Sequence, residues 1–372
     1  MTVPDAIINN VSLTYTPPDW PGGFWWHWVF FTVVLIGFML TMVIIAIYIE
    51  RRGMGRMQSR LGPNRTGPFG VFQMIADVIK ILLKENIVPD KADKIVHWLA
   101  PIIAFVPVAL IFAVIPFQPG AMLADLNIGI LFIVAVSSLT TLGVFMAGGG
   151  SSNKYSLLGA MRNVAAVVSY EIPLALSIVG TLLVAGTMSL NGIVTVQDIP
   201  FILLQPLGFL IFFIAGCAEI NRSPFDLMEA DSEIVAGFHT EYSGMKFAMF
   251  YLVEYAEAIA ISAIVACLFL AGWRGPFLPG WLWFILKTLV VFFGMVWVRT
   301  TFPRVRIDQL MALAWKFLLP LSLINLFITA IQVLAWDDAI NWIAVVINIV
   351  VMVVLILIWS KFFKLGWGRL EV

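Results

Sequence analysis

Carboxylates are the side chains whose number, spacing and setting in this chain could do chemistry. Of the 22 acidic residues, six fall in one stretch, AEINRSPFDLMEADSEIVAGFHTEYSG from Ala218 to Gly244: Glu219, Asp226, Glu229, Asp231, Glu233 and Glu241. One basic residue, Arg222, sits among them. Ser223, Pro224 and Asp226 predict a helix start: Ser can cap, Pro tolerates the first helical position, and the carboxylate reaches back to a free N–H. Gly237 is the predicted stop. On such a helix Asp226, Glu229 and Glu233 share one face and repel one another. In a soluble protein this would be a solvated acidic face. Three more carboxylates, Glu171, Glu254 and Glu257, lie inside long apolar runs, where a charge costs on the order of 2.5 to 3.5 kcal/mol. Glu254 and Glu257 are three residues apart and so share a helix face, while Pro173 leaves the Ser169 carbonyl near Glu171 without its helical partner. Carboxylates held close together raise one another's pKa and exchange protons through water. Structural pairing with Arg162 or Lys287 is the competing role for the intramembrane acids.

The setting of these acids is apolar. The chain of 372 residues is 61% hydrophobic and 12% charged, against about 25% charged for a soluble domain, which identifies an all-α integral membrane protein. Cys217 and Cys267 stand alone in apolar runs, as buried packing residues do. His27, His97 and His239 show no metal-ligand spacing, and there is no glycine-rich nucleotide loop, so no redox cofactor is expected within the chain.

Runs long enough to cross a bilayer, about 20 residues each, predict nine spans at 26–49, 96–116, 127–148, 157–186, 202–220, 246–271, 281–299, 312–335 and 340–360. None is expected to be a removable signal, because no basic segment precedes the first. With the N-terminus outside, 20 of the 22 Lys and Arg residues fall on the cytoplasmic side, Arg274 and Lys287 being the exceptions. The positive-inside rule therefore predicts an outer N-terminus and a cytoplasmic C-terminus. Tryptophans such as Trp25, Trp26, Trp281 and Trp342 then form a belt at the outer interface.

Three further segments must position the acids. ERRGMGRMQSRLGPNRTGPFG, Glu50 to Gly70, carries five arginines and two Gly-Pro turns, and on its own reads as an anchor for anionic headgroups. In 67–86, Gln73, Asp77, Lys80 and Lys84 are spaced four, three and four apart, one narrow polar stripe on an otherwise apolar helix. The segment is too charged to span and predicts a helix lying in the interface, its stripe facing a partly wet cavity. The connection VRTTFPRVRIDQL offers Arg299, Arg304 and Arg306 on the same side as the acidic loop 218–244, which points to one assembled charged site.

These stretches, together with DVIKILLKE, KYSLLGAMRNVAAVVSYEIP and VRTTFPRVRIDQLMALAWK, closely resemble the NuoH-type membrane subunit of respiratory NADH:quinone oxidoreductase, complex I. The resemblance covers roughly residues 45 to 320. It implies a subunit that is not catalytic alone. It forms the membrane-side floor and walls of a quinone chamber beneath peripheral quinone-site and iron–sulfur subunits, with membrane-arm subunits and lipids beside it. Quinone is then the substrate, NAD, flavin and iron–sulfur clusters belong to partner subunits, and no nucleic-acid partner is expected. The implied location is a bacterial inner membrane, in preference to an organellar one. Carried over by position, Arg51, Asp77, Lys80, Glu229, Asp231, Arg299 and Arg304 become chamber-lining residues. Glu171, Glu219, Glu233 and Glu254 become the acidic path toward the proton-pumping arm, and Glu257 falls outside it. Asp231 stands where the family pattern has Glu, and many members lack the ninth span. Two rival readings are the related membrane subunit of a hydrogenase or formate hydrogenlyase, and a stand-alone proton-coupled transporter. No clear repeat of matching broken helices supports the transporter.

Overall fold

The computed structural model describes residues 25–119, 121–227, 234–335 and 342–362. Among these residues the chain is helical, with one isolated bridge between Gln118 and Ala121 and no strand. Among the described residues seven helices are long and apolar enough to cross a membrane, and two shorter apolar helices accompany them. The protein is thus a multi-pass all-α membrane protein.

Helix α1, Trp25–Met57, has 33 residues, about 50 Å at 1.5 Å per residue, so it outruns a hydrocarbon core of about 30 Å. Its ERRGMGRM end therefore stays helical beyond the apolar run and holds Glu50, Arg51 and Arg52 on a rigid support. A short 3₁₀ turn at Pro68–Gly70 follows, and then α2, Gln73–Leu82, which is shorter than the 67–86 expected. Gly67 and Gly70 have φ of 74° and 77°, left-handed values that end helical continuation on the upstream side.

Helix α3, Lys94–Val114, starts at Asp93, whose carboxylate accepts from Ile95 N and Val96 N. It packs closely on α4, Gly129–Gly150: a Cβ on Gly143 would lie 2.7 Å from Ala104 N, so only glycine permits this approach. Helix α5, Lys154–Ala185, is capped by Asn153 and runs through Pro173 without breaking. Two short helices, α6 at Leu190–Val196 and α7 at Phe201–Leu204, lead into α8, Pro206–Glu219. Its 14 residues rise about 21 Å, less than a full crossing, and Pro206 separates it from α7.

Helix α9, Gly244–Phe269, is the hub, with most of its second half buried against its neighbours. Helix α10, Gly280–Thr301, follows it. Then comes α11, Ile307–Ala335, which contains a π-helical turn at Leu313–Leu318. Helix α12, Trp342–Phe362, docks through Asn348, which donates to Leu204 O and bonds the Gln332 amide.

The acidic loop departs from expectation where it is described. Residues 221–227 form turns rather than the start of a helix. The Ser223–Pro224 bond is cis, Arg222 O accepts from Phe225 N, and Pro224 O accepts from Val305 N. Tertiary hydrogen bonds thus take the backbone groups that a first helical turn would use. Gly237, the predicted stop, does adopt a left-handed φ of 62°. Residues 228–233, with Glu229, Asp231 and Glu233, lie outside the described residues.

Candidate functional site at the charged end of the bundle

One end of the bundle gathers the charged side chains. Glu50, 1% exposed at the end of the apolar part of α1, accepts from Arg222 at 2.7 Å and also from Arg299 of α10. Arg222 Nε lies 3.1 Å from Glu254 Oε1 of α9, without hydrogen-bond alignment, and its guanidinium sits 4.0 Å from the centre of the Tyr255 ring. Burial opposes the Arg222 charge, but Glu254 and Glu50 outweigh it and hold its pKa above the ordinary arginine value. Two cations and two carboxylates from four segments thus form one lattice. Arg222 joins the two carboxylates, and removing it would leave Glu254 without its paired cation while Arg299 still holds Glu50.

Beside this lattice lies a cleft of about 550 Å³ lined by Arg51, Asp77, Lys80, Lys84, His239 and Phe247, among others. The polar stripe of α2 lines it. Its apolar residues Ile75, Val78, Ile79 and Leu82 are exposed on the outside of the protein, where lipid or a partner would cover them. Arg51 bonds Asp77, and Gln73 donates to the other Asp77 oxygen at 3.0 Å. Burial would push the Asp77 carboxyl up, but these two donors outweigh it and hold it below the usual carboxylate range. Burial pushes His239 down, with the Asp226 charge opposing, and burial raises Tyr242.

His239 and Phe247 also line an inner pocket of about 70 Å³, with Glu219, Asp226, Glu254 and Glu257 in its wall. At roughly 15 Å³ per water this holds a few water molecules. Cleft and inner pocket therefore share a wall, and the acids lie on its inner side.

Arg51, Asp77 and Lys80 accordingly come together at the cleft, and Glu219 and Glu254 at the pocket. Arg299 pairs with Glu50, and Arg304 with Asp226 at 3.1 Å. The acidic loop and the 298–310 connection therefore meet at the Arg304–Asp226 pair, and Glu50 of α1 links Arg299 to Arg222. Glu171 stands apart on α5, near enough to Glu219 for their charges to interact, with its Oε1 unbonded among the described residues. Lys287 does not pair with any of these acids: it donates to the carbonyls of Leu270, Gly272 and Arg274 at the far end of α9.

Sequence reasoning passed over Glu50, Arg222 as the common counterion, Asp226 as the partner of Arg304, and the place of Glu257 in the acid pocket. The signal for the first was available, because Glu50 ends an apolar run immediately before two arginines. For the second it was the single cation within an acidic stretch.

The sequence pattern of a family described as NADH dehydrogenase matches residues 30–330. The chain belongs to this family. It is 60% identical over 349 residues to the H subunit of the NADH-quinone oxidoreductase of Dehalococcoides mccartyi, covering 94% of this chain and 99% of that one. The corresponding H subunit of Geobacillus kaustophilus is 52% identical over 309 residues, 82% of this chain and 92% of the relative. That of Brevibacillus brevis is 48% identical over 328 residues, 87% and 97%. Helix α12 lies beyond the family match.

Proposed function

We propose that this chain is the H subunit of an NADH–quinone oxidoreductase of a bacterial inner membrane, that its cleft receives the quinone, and that its inner acids pass protons. Family membership and the identity to named H subunits support the first part. The cleft supports the second, since a polar stripe of Asp77, Lys80 and Lys84 facing Arg51 suits a headgroup whose oxygens gain charge on reduction, while the exposed apolar face of α2 lies toward lipid. The observation that carries the third is the wall shared by cleft and acid pocket, with the Glu50, Arg222, Arg299 and Glu254 lattice next to it.

The chain's own part in the reaction follows from charge. Negative charge arriving in the cleft raises the proton affinity of nearby carboxylates, and Glu254, tied to Arg222 on one side and open to the pocket on the other, is placed to take up a proton in response. Releasing that proton to Glu219 and on toward Glu171 moves it along the membrane. Electrons reach the quinone from NADH through the flavin and iron–sulfur clusters of partner subunits. Glu229, Asp231 and Glu233 complete the chamber and the path, the N-terminus lies outside, and the C-terminus is cytoplasmic.

A photoreactive quinone in the assembled complex tests this reading. Labelling of Gln73–Leu82 or of residues 236–247 is expected. Labelling confined to segments away from the cleft would contradict it.

A further inference from the structure

Two internal cavities meet at Glu219 and Glu257. One is the pocket of about 70 Å³, whose wall also carries Thr140, Asn163 and Glu254. The other, about 40 Å³, is walled by Ser137 and these two acids and otherwise by apolar side chains such as Ile111, Leu174, Phe212 and Ile264. Glu257 is thus one turn further along α9 than Glu254, at the point where the polar cavity gives way to a mostly apolar one.

Hydroxyls of α4 stand beside this pair. Thr140 shares the polar pocket with Glu257, and Ser137 shares the smaller cavity with Glu219, so each hydroxyl faces a carboxylate as well as the carbonyl one turn back to which it donates. Ser137 Oγ lies 3.0 Å from Val134 O, and Thr140 Oγ1 lies 2.8 Å from Ser137 O. A hydroxyl with these two choices donates to the carboxylate when the acid is ionised. It donates to the helix carbonyl when the acid is protonated and itself becomes the donor. Either charge state of the acid is therefore satisfied without moving the backbone. Asn163, 3% exposed and on the pocket wall, has an Oδ1 with no hydrogen-bond partner among the described residues. Such a buried acceptor requires a donor, and the pocket has room for water to supply it.

We propose that Glu257 is a proton-carrying residue that shares one proton with Glu219 through water held by Asn163 and Thr140, with Thr140 and Ser137 as positioning residues. This rests on the acid-path reading above and adds a member to it. Each transfer moves a proton from a carboxylic O–H to a water oxygen while that water gives one of its own protons to the next carboxylate, so no electron or co-reactant is needed. The groups facing Glu257 are Glu219 on α8 and Glu254 on its own helix, with Asp226, His239 and Tyr251 on the same pocket wall. Two anions at Glu219 and Glu257 repel, which favours one proton on the pair at a time.

The test uses the assembled complex in proteoliposomes, with NADH oxidation by an artificial acceptor as the measure of assembled enzyme. Glu257→Gln should slow coupled quinone reduction roughly tenfold or more, because a positioned proton carrier contributes on the order of 10² to 10⁴ where transfer limits the rate. Redox-triggered infrared difference spectra should lose one carboxyl C=O band in Glu257→Gln and shift that band in Glu257→Asp. Thr140→Val should displace the pH profile of turnover, and Thr140→Ser should restore it. If Glu254→Gln slows turnover while Glu257→Gln keeps the rate and every carboxyl band, the proposal is overturned and the path reading stands. If neither variant slows turnover, the path reading falls first and takes the proposal with it. Should Glu257→Gln not assemble, an unshifted band in Glu257→Asp would overturn the proposal by itself.

Discussion

The bundle holds a cation toward each end, buried Arg222 and half-buried Lys287, and the two ends treat it in opposite ways. At the charged end, Arg222 is bound by Glu50 and Glu254, carboxylates whose charge can change. At the far end, Lys287 is bound by three backbone carbonyls at 2.6 to 2.9 Å, and Arg274 by the carbonyls of Thr195 and Gln197 and by Asp198. Carbonyl dipoles do not titrate. Lys287 completes the C-terminal end of a helix whose last carbonyls lack partners, and Gln197, 1% exposed, closes the same end by donating to Cys267 O and Leu268 O. The charged end is thus built to respond to protonation, and the far end to stay fixed.

The contrast predicts different failures. The largest expected effect is at Arg222. Arg222→Ala leaves Glu50 and Glu254 without their shared cation, at a cost of about 3 to 5 kcal/mol if both stay ionised. Thermal denaturation of the purified complex should show a large loss, with turnover lost as well. A stable variant with normal turnover would remove the lattice from the account. Lys287→Met comes next: it strips three carbonyls of a charged donor, but at this half-buried site water replaces much of the loss, so the cost is about 1.5 to 3 kcal/mol in all. Stability should fall, yet the pH profile of the remaining quinone turnover should keep its shape. A displaced profile would mean that the far end also takes part in proton handling.

The smallest effect concerns pH. Asp77 has a depressed folded pKa, so its contribution is present above the ordinary Asp value of about 3.9 and is lost as pH falls through the folded value. His239 is depressed by burial, so the unfolded chain takes up the proton first and stability declines as pH falls below about 6.5. Both act in the same direction in acid, at different pH. His239→Gln should flatten the decline that begins below about pH 6.5, while Asp77→Asn should alter only the most acid part. Differential scanning fluorimetry across pH separates the two. A decline in the upper window that survives in His239→Gln would assign it to another group.

The helical class was legible because apolar runs of about 20 residues leave few other solutions, and the narrow polar stripe on α2 showed which of its faces turns toward the protein. What the sequence hid was pairing across long separations. Glu50 and Arg222 are 172 residues apart and Glu50 and Arg299 are 249 apart, distances over which periodicity carries no signal. The helix start expected at Ser223 is replaced by turns for a related reason: Pro224 O accepts from Val305 N and Arg222 O from Phe225 N, partners that no capping pattern reveals. The connection carrying Arg299 and Arg304 was expected to share one charged site with the acidic loop; the described partners of these arginines include Glu50 and Asp226, while Glu229, Asp231 and Glu233 lie outside the described residues. Glu257 was set aside although it shares a face with Glu254, because helical spacing fixes the face but not which neighbouring helices it meets.

The central claim is that Glu254 links charge in the cleft to the acid path, and the proton-to-electron ratio of Glu254→Gln in proteoliposomes tests it most directly. Gln keeps the shape and most of the hydrogen bonding while removing the titration. The complex should assemble, reduce quinone slowly and move fewer protons per electron, while Glu254→Asp, which keeps the acid with a shorter reach, should lose less. A fully assembled Glu254→Gln complex that reduces quinone and translocates protons at the unmodified rate and ratio would contradict the claim.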